Sequence, residues 1–227
     1  MNDAVHITYL YDPLCGWCYG ASSVLGQLAD LPGFDIELAP TGLFSGNGAR
    51  PMDAEFAAFA WSNDRRIAKL TGQRFSDDYR QKVLGKPGGR LDSGPATLAL
   101  TAVAMTTPPA AVRALRLIQE ARYVLGRDIT DMKVLGEILD QAGLADAAAR
   151  LAAPDEELLA DNRLRIETAR ALRQAFRVDG VPSLIVDDGQ SRHLVPASEL
   201  FASADLVATL MSAGISVSRA EFQSQSH

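Results

Sequence analysis

The chain has two cysteines, Cys15 and Cys18, set three residues apart in Asp12-Pro13-Leu14-Cys15-Gly16-Trp17-Cys18-Tyr19-Gly20. Thiols at this spacing can close into a disulfide, share a metal ion or do no chemistry. A zinc site needs four ligands, usually completed by a second Cys or His pair at short spacing. His6, His193 and His227 are scattered and read as ordinary strand or tail residues, so no metal is expected. There is no second cysteine pair, so if this one does redox chemistry no internal relay is possible and its electrons come from a small thiol or another protein.

The position of the pair bears on its reactivity. An apolar, β-rich run, Val5 to Tyr11, leads into the turn signal Asp12-Pro13, and a three-and-four periodicity (Val24, Leu25, Leu28, Leu31) follows from Gly16 onward. Cys15 is therefore expected at a strand-to-helix junction, among unpaired N–H groups and the positive end of a helix dipole, both of which favour a thiolate. Cys15 leads the helix and is read as the nucleophile, with Cys18, one turn in, as the resolving thiol. β-Carbons three apart on a regular helix lie roughly 5–6 Å apart, whereas a relaxed disulfide wants about 3.5–4.5 Å. Closure depends on Cys15 being at the adaptable helix start. A helix end that stabilises the reduced form gives an easily reduced, catalytic bridge. No cation stands in the motif, and Asp12, if turned inward, opposes ionisation. Trp17 is either a packing residue or an apolar platform for substrate.

The elements around the motif follow from the same signals. Phe34 to Ala39 alternates as a second strand, with the helix between the two strands allowing a right-handed crossover. Gly42 to Pro51 is a Gly-rich loop without a phosphate-binding spacing. Helical patterns fill the next hundred or so residues: Ala54 to Leu70, Pro95 to Met105, Pro108 to Leu125, Asp131 to Ala142 and Leu144 to Leu151, with Gly85 to Gly94 as a second loop. Asp155 to Phe176 has an apolar stripe of Leu159, Ile166, Ala169, Leu172 and Phe176, and its arginines and glutamates read as a solvated, oppositely charged face. Val181 to Val186, the turn Asp187-Asp188-Gly189 and Ser191 to Val195 form a hairpin, followed by a helix from Pro196 to Met211. The fold class is α/β, one mixed sheet with a large all-helical insertion. Residues 1–45 and 155–214 would make the sheet domain, 46–154 the insertion and 215–227 a frayed tail.

Composition sets the partners. The chain has 227 residues, 47% of them hydrophobic, with a formal net charge of -6. It is long enough to bury a full core, and no basic field is present to collect nucleic acid or an anionic membrane. The N-terminus carries Asp3 and no Lys or Arg, and the apolar stretch behind it is short, so it reads as neither a signal nor a membrane span. A cytoplasmic location is expected, where a lone cysteine pair is more often catalytic or metal-binding than structural.

Tyr9 to Gly20, together with Val181-Pro182-Ser183 ahead of a strand and hairpin, resembles the thioredoxin superfamily. With the helical insertion, the chain resembles its DsbA-like branch, in particular the cytoplasmic protein-disulfide isomerases with the motif D-P-[LM]-C-x-W-C. Gly42-Leu43-Phe44, Leu70-Thr71-Gly72-Gln73 and Asp92-Ser93-Gly94-Pro95-Ala96-Thr97 are similar to segments of that group, so most of the chain is covered. The resemblance implies a thioredoxin-like fold and dithiol-disulfide exchange through a redox-active disulfide between Cys15 and Cys18. It also implies a cis-proline at Pro182, and Val181 offering its backbone to an extended substrate beside Trp17. Disulfide-containing proteins or small thiols would be the substrates, with no bound cofactor. A reducing or oxidising partner, glutathione among the candidates, would set the direction, which leaves reductase, oxidase and isomerase all open. One departure stands out, because relatives carry a buried acid six residues before the first cysteine and Tyr9 stands here, leaving proton handling to Tyr9, Tyr11 or water. The alternative is a glutathione-dependent enzyme of the kappa-transferase or chromene-carboxylate-isomerase type on the same fold. Cys18 argues against it, since a resolving thiol is of no use to a transferase. A binding module with an incidental disulfide is a third class, and it requires Cys15→Ser to leave function intact.

Overall fold

The computed structural model describes residues 5–187 and 189–202. The sequence-based expectations for the last helix beyond Ala202 and for the tail fall outside these residues. Val5–Tyr11 forms β1 and Phe34–Pro40 forms β2, paired in parallel; Ser183–Asp187 (β5) runs antiparallel to β1, and Arg192–Pro196 (β6) antiparallel to β5. The sheet order is β2-β1-β5-β6. Leu10 lies opposite Ser183, so this register brings Val181-Pro182 to the C-terminal end of β1, where the cysteine motif begins.

Alternation along the central strands builds two layers. Val5, Ile7, Tyr9 and Tyr11 of β1, with Leu184 and Val186 of β5, face the larger apolar core. Leu10 and Ile185 face a smaller one with Ala39, Ala169 and Val178. That smaller layer is covered by α9, Glu156–Ala175, through Ala169 and the half-buried Leu172 of the predicted stripe, while Leu158 joins the larger core and Leu159 is only half-buried. The expected solvated charged face of α9 also needs correction. Arg163 pairs with Glu156 at 2.8 Å, but Arg165 donates to the Leu38 carbonyl (2.8 Å) and Arg170 to those of Thr41 (3.1 Å) and Gly42 (3.2 Å). These arginines fasten the end of β2 and the loop behind it.

The helical block is α3 (Ala54–Thr71), the short α4 (Asp77–Tyr79) running into a π-helical turn over Arg80–Leu84, α5 (Gly94–Thr106), α6 (Ala111–Tyr123), α7 (Met132–Gln141) and α8 (Ala145–Ala152). α5 buries Ala96, Ala99, Leu100, Ala102 and Val103. A helix apolar all round must be enclosed, and α6, α7, α8 and α9 enclose it. Arg50–Pro51 (β3) pairs with Arg90–Leu91 (β4) inside the two stretches read as loops; pairs this short leave no periodic signal. The core is continuous from the sheet into the helical block.

The helix predicted behind Cys15 is broken. Gly16–Gly20 forms α1, Ala21 lies between, and Ser22–Asp30 forms α2. The dipole available to Cys15 is therefore that of a five-residue helix. α1 sits against α3 because two of its residues have no side chain. A β-carbon on Gly16 would stand 2.4 Å from Asp64 Oδ1, and one on Gly20 would stand 2.6 Å from Ile67 Cγ2. α3 is fixed at both ends, by Asp53, whose carboxylate accepts from the Phe56 amide (2.7 Å), and by Gly72 at φ 75°.

Candidate active site at the cysteine pair

Asp12 organises the approach to the pair. It is completely buried and accepts from the Leu14 amide (2.9 Å), the Phe44 amide (3.1 Å) and the Ser93 hydroxyl (2.7 Å). Three distant segments thus meet on one carboxyl, which ties Gly42-Leu43-Phe44 and Asp92-Ser93-Gly94 to the cysteine motif. Burial raises the pKa of Asp12 above its ordinary value even though these donors oppose the shift. Tyr123 completes the turn by donating to the Leu14 carbonyl at 2.7 Å.

Cys15 occupies the N-cap of α1 with an extended backbone (φ -82°, ψ 118°), so its side chain is not held to helical spacing. Both cysteines are free thiols, 3.5 Å apart. Cys15 is 7% exposed and Cys18 1%. The Cys15 thiol donates to the Val181 carbonyl at 3.6 Å, and the Val181–Pro182 peptide is cis. The structure thus brings Cys15, Cys18, Val181 and Pro182 together. Burial above all, with the neighbouring Cys15 sulfur next, pushes the Cys18 thiol up, so Cys18 holds its proton.

Trp17 separates two depressions. On one side is a groove of about 610 Å³ lined by Trp17, Leu70, Val181, Leu194 and Phe201, with Arg177 and Asp179 among its polar residues. On the other is a cavity of about 140 Å³ reached by Cys15, Phe56, Phe59 and Asp64. Trp17 packs against Phe201 (5.4 Å between ring centres), lies under the Arg66 guanidinium (5.9 Å) and keeps a wall on each depression. Phe59, 63% exposed, and Leu70, 56% exposed, extend the apolar rim.

Both tyrosines of β1 hold their protons. Tyr9 and Tyr11 are fully buried, burial raises both phenols, and the Tyr9 hydroxyl donates to the Cys18 carbonyl at 3.3 Å. The titratable group that sequence reasoning missed is Asp64. It is 4% exposed, accepts from the Tyr79 hydroxyl at 2.9 Å and is pushed up to about 7, burial outweighing the Tyr79 hydrogen bond and the Arg122 charge. Arg122 is also buried, between the rings of Tyr79 (5.4 Å) and Tyr123 (5.7 Å), and among the described residues its Nε and Nη1 have no hydrogen-bond partner. A signal for both was present: Asp64 lies between Ala60 and Ile67 on the stripe of α3, and Arg122 four residues after Ile118 on that of α6.

Comparison with known proteins bears on the family and the fold. The family model for the DSBA-like thioredoxin domain matches residues 6–208. The chain is similar to the cytosolic disulfide reductase DsbM from Pseudomonas aeruginosa, with 29% identity and a TM-score of 0.81 over 92% of this chain and 98% of that one. A second structure of that reductase, described as with GSH, aligns over the same shares with a TM-score of 0.77. A protein from Nitrosomonas europaea described as a putative disulfide isomerase, 21% identical, shares the fold at a TM-score of 0.73 over 92% of this chain and 98% of that one. Comparison with curated proteins gives no match. No described helix is long and apolar enough to cross a membrane.

Proposed function

The chain belongs to the DsbA-like thioredoxin domain family, and from that premise we propose that it is a disulfide reductase whose reactive dithiol is Cys15 and Cys18. The observation that carries this reading is the pair itself: two free thiols 3.5 Å apart, the outer one bordering a cavity and the inner one buried with its proton. Cys15 attacks one sulfur of a substrate disulfide, forming a mixed disulfide and expelling the first product thiol. Cys18 then gives up its proton and attacks the Cys15 sulfur, forming the Cys15–Cys18 disulfide and expelling the second. Two molecules of a small thiol restore the dithiol and leave as their own disulfide.

The groove beside Trp17 and Val181 is where the substrate chain lies. In the reduced protein the Val181 carbonyl is engaged by the Cys15 thiol; loss of that proton frees the carbonyl for an extended peptide, with Pro182 shaping the wall. The reductase direction, a cytoplasmic setting and glutathione as the electron donor are supported by the 29% identical cytosolic reductase and its structure with GSH.

The experiment is insulin and small-disulfide reduction with glutathione as donor, using wild type, Cys15→Ser and Cys18→Ser. Cys15→Ser loses activity, while Cys18→Ser accumulates a mixed disulfide at Cys15 visible by intact mass. Activity surviving in Cys15→Ser sinks the reading, and glutathione conjugation to an electrophile without disulfide cycling replaces it with a transferase.

A further inference from the structure

We propose that Asp64 is the group that accepts and returns the proton of the Cys15 thiol, a role that no acid of β1 fills in this chain. The proposal rests on the reading of Cys15 as the attacking nucleophile. Geometry comes first. Oδ2 of Asp64 is held by the Tyr79 hydroxyl (2.9 Å), while Oδ1 is the oxygen turned to the Gly16 backbone, the residue directly after Cys15. Among the described residues lining the cavity that Cys15 reaches, Asp64 is the sole carboxylate. At about 140 Å³ that cavity has ample space for a bridging water, which needs roughly 10–15 Å³ of it.

The groups facing Asp64 exclude the other proton carriers. From α4 comes Tyr79 and from α6 Tyr123, both phenols raised by burial and protonated at neutral pH. Arg122, also from α6, holds its positive charge. On the π-helical turn, Arg80 lies over the Trp61 ring and Lys82 pairs with Asp78, so both are engaged elsewhere. Of its own helix, Arg66 lies over Trp17. Asp64, at about 7, is the member of this set that exchanges a proton in the neutral range.

The step balances without any further reactant. The Asp64 carboxylate takes the proton of the Cys15 thiol across the cavity, leaving a thiolate and a carboxylic acid. The thiolate attacks a substrate disulfide, one S–S bond breaks as another forms, and the departing thiolate collects the proton from Asp64.

The test is the pH profile of Cys15 alkylation by iodoacetamide from pH 5 to 10 in a Cys18→Ser background, where Cys15 is the only thiol. Two groups sharing a proton titrate in two macroscopic steps, so the expected profile has a lower step at about 7. Asp64→Asn loses that step and keeps a single one. Tyr79→Phe removes a donor that stabilises the carboxylate and shifts the lower step upward, a change that a purely structural Asp64 would not produce. An Asp64→Asn profile identical to that of its parent overturns the proposal, as does a Tyr79→Phe lower step that stays in place should Asp64→Asn fail to fold. Turnover with glutathione disulfide at pH 9, both cysteines present, separates the two layers. No exchange by wild type overturns the reductase reading and this proposal with it, whereas normal exchange with an unchanged Asp64→Asn profile overturns this proposal alone.

Discussion

Gly16→Ala tests the tight joint between α1 and α3. The added methyl would lie 2.4 Å from Asp64 Oδ1 and 3.2 Å from Ile67 Cδ1, against an ordinary carbon contact of about 3.5 Å, so about 1 Å must be found. A side-chain oxygen usually yields cheaply. Here it does not, because Asp64 is 4% exposed and tied to Tyr79 at 2.9 Å. If α1 backs away, overpacking costs roughly 1–3 kcal/mol; if Asp64 rotates, a hydrogen bond to a charged group worth about 1.5–3 kcal/mol goes. Replacing Gly by Ala within a helix returns about 1 kcal/mol. The net loss is at most about 2 kcal/mol by either route, which for a chain of this length lowers Tm by up to roughly 8 °C. Because Cys15 is bonded directly to Gly16, the first route also displaces the nucleophile, and a 1 Å misplacement can cost on the order of 100-fold in rate. Thermal unfolding and disulfide-reduction rates are measured for Gly16→Ala alone and combined with Asp64→Ala. Without the carboxyl, the same Gly16→Ala change is neutral or stabilising. A coupling between the two sites below about 0.5 kcal/mol refutes the packing argument.

Two further outcomes follow from the buried carboxyls. Asp64 has its folded value raised to about 7 from about 3.9 when unfolded, so the folded state binds the extra proton and this group's contribution to stability is lost as pH climbs from about 4 through 7. The ceiling on that loss is about 4 kcal/mol; Asp64→Asn removes the slope, and urea unfolding at pH 5 and pH 8 that keeps the wild-type difference contradicts the assignment. Asp12→Ala leaves the Leu14 and Phe44 amides and the Ser93 hydroxyl without their acceptor. At about 1–3 kcal/mol for each buried unsatisfied group, unfolding free energy should fall by at least about 3 kcal/mol, and a smaller loss would mean that water replaces the carboxyl.

What sequence alone determined is local: the strand before Asp12, Cys15 at a helix start, the β5–β6 hairpin and the apolar periods of the helices, all written by neighbours in the chain through strand alternation, helical period and turn chemistry. The same local reading explains the misses. β3 and β4 are too short to show a period, the break at Ala21 follows a glycine, Gly20, past which the apolar period runs on, and a charged residue within a helix defaults to solvent. Only the tertiary structure decides that Asp64 and Arg122 point inward, because the partner that buries each comes from elsewhere in the chain. Likewise, that Arg165 and Arg170 fasten β2, and that Phe44 and Ser93 close on Asp12, depends on which helix lies on which face. Gly16 joins the two levels. Its place in the motif is plain from sequence, but the need for glycine there comes from a carboxyl on α3 that the fold presses against its backbone.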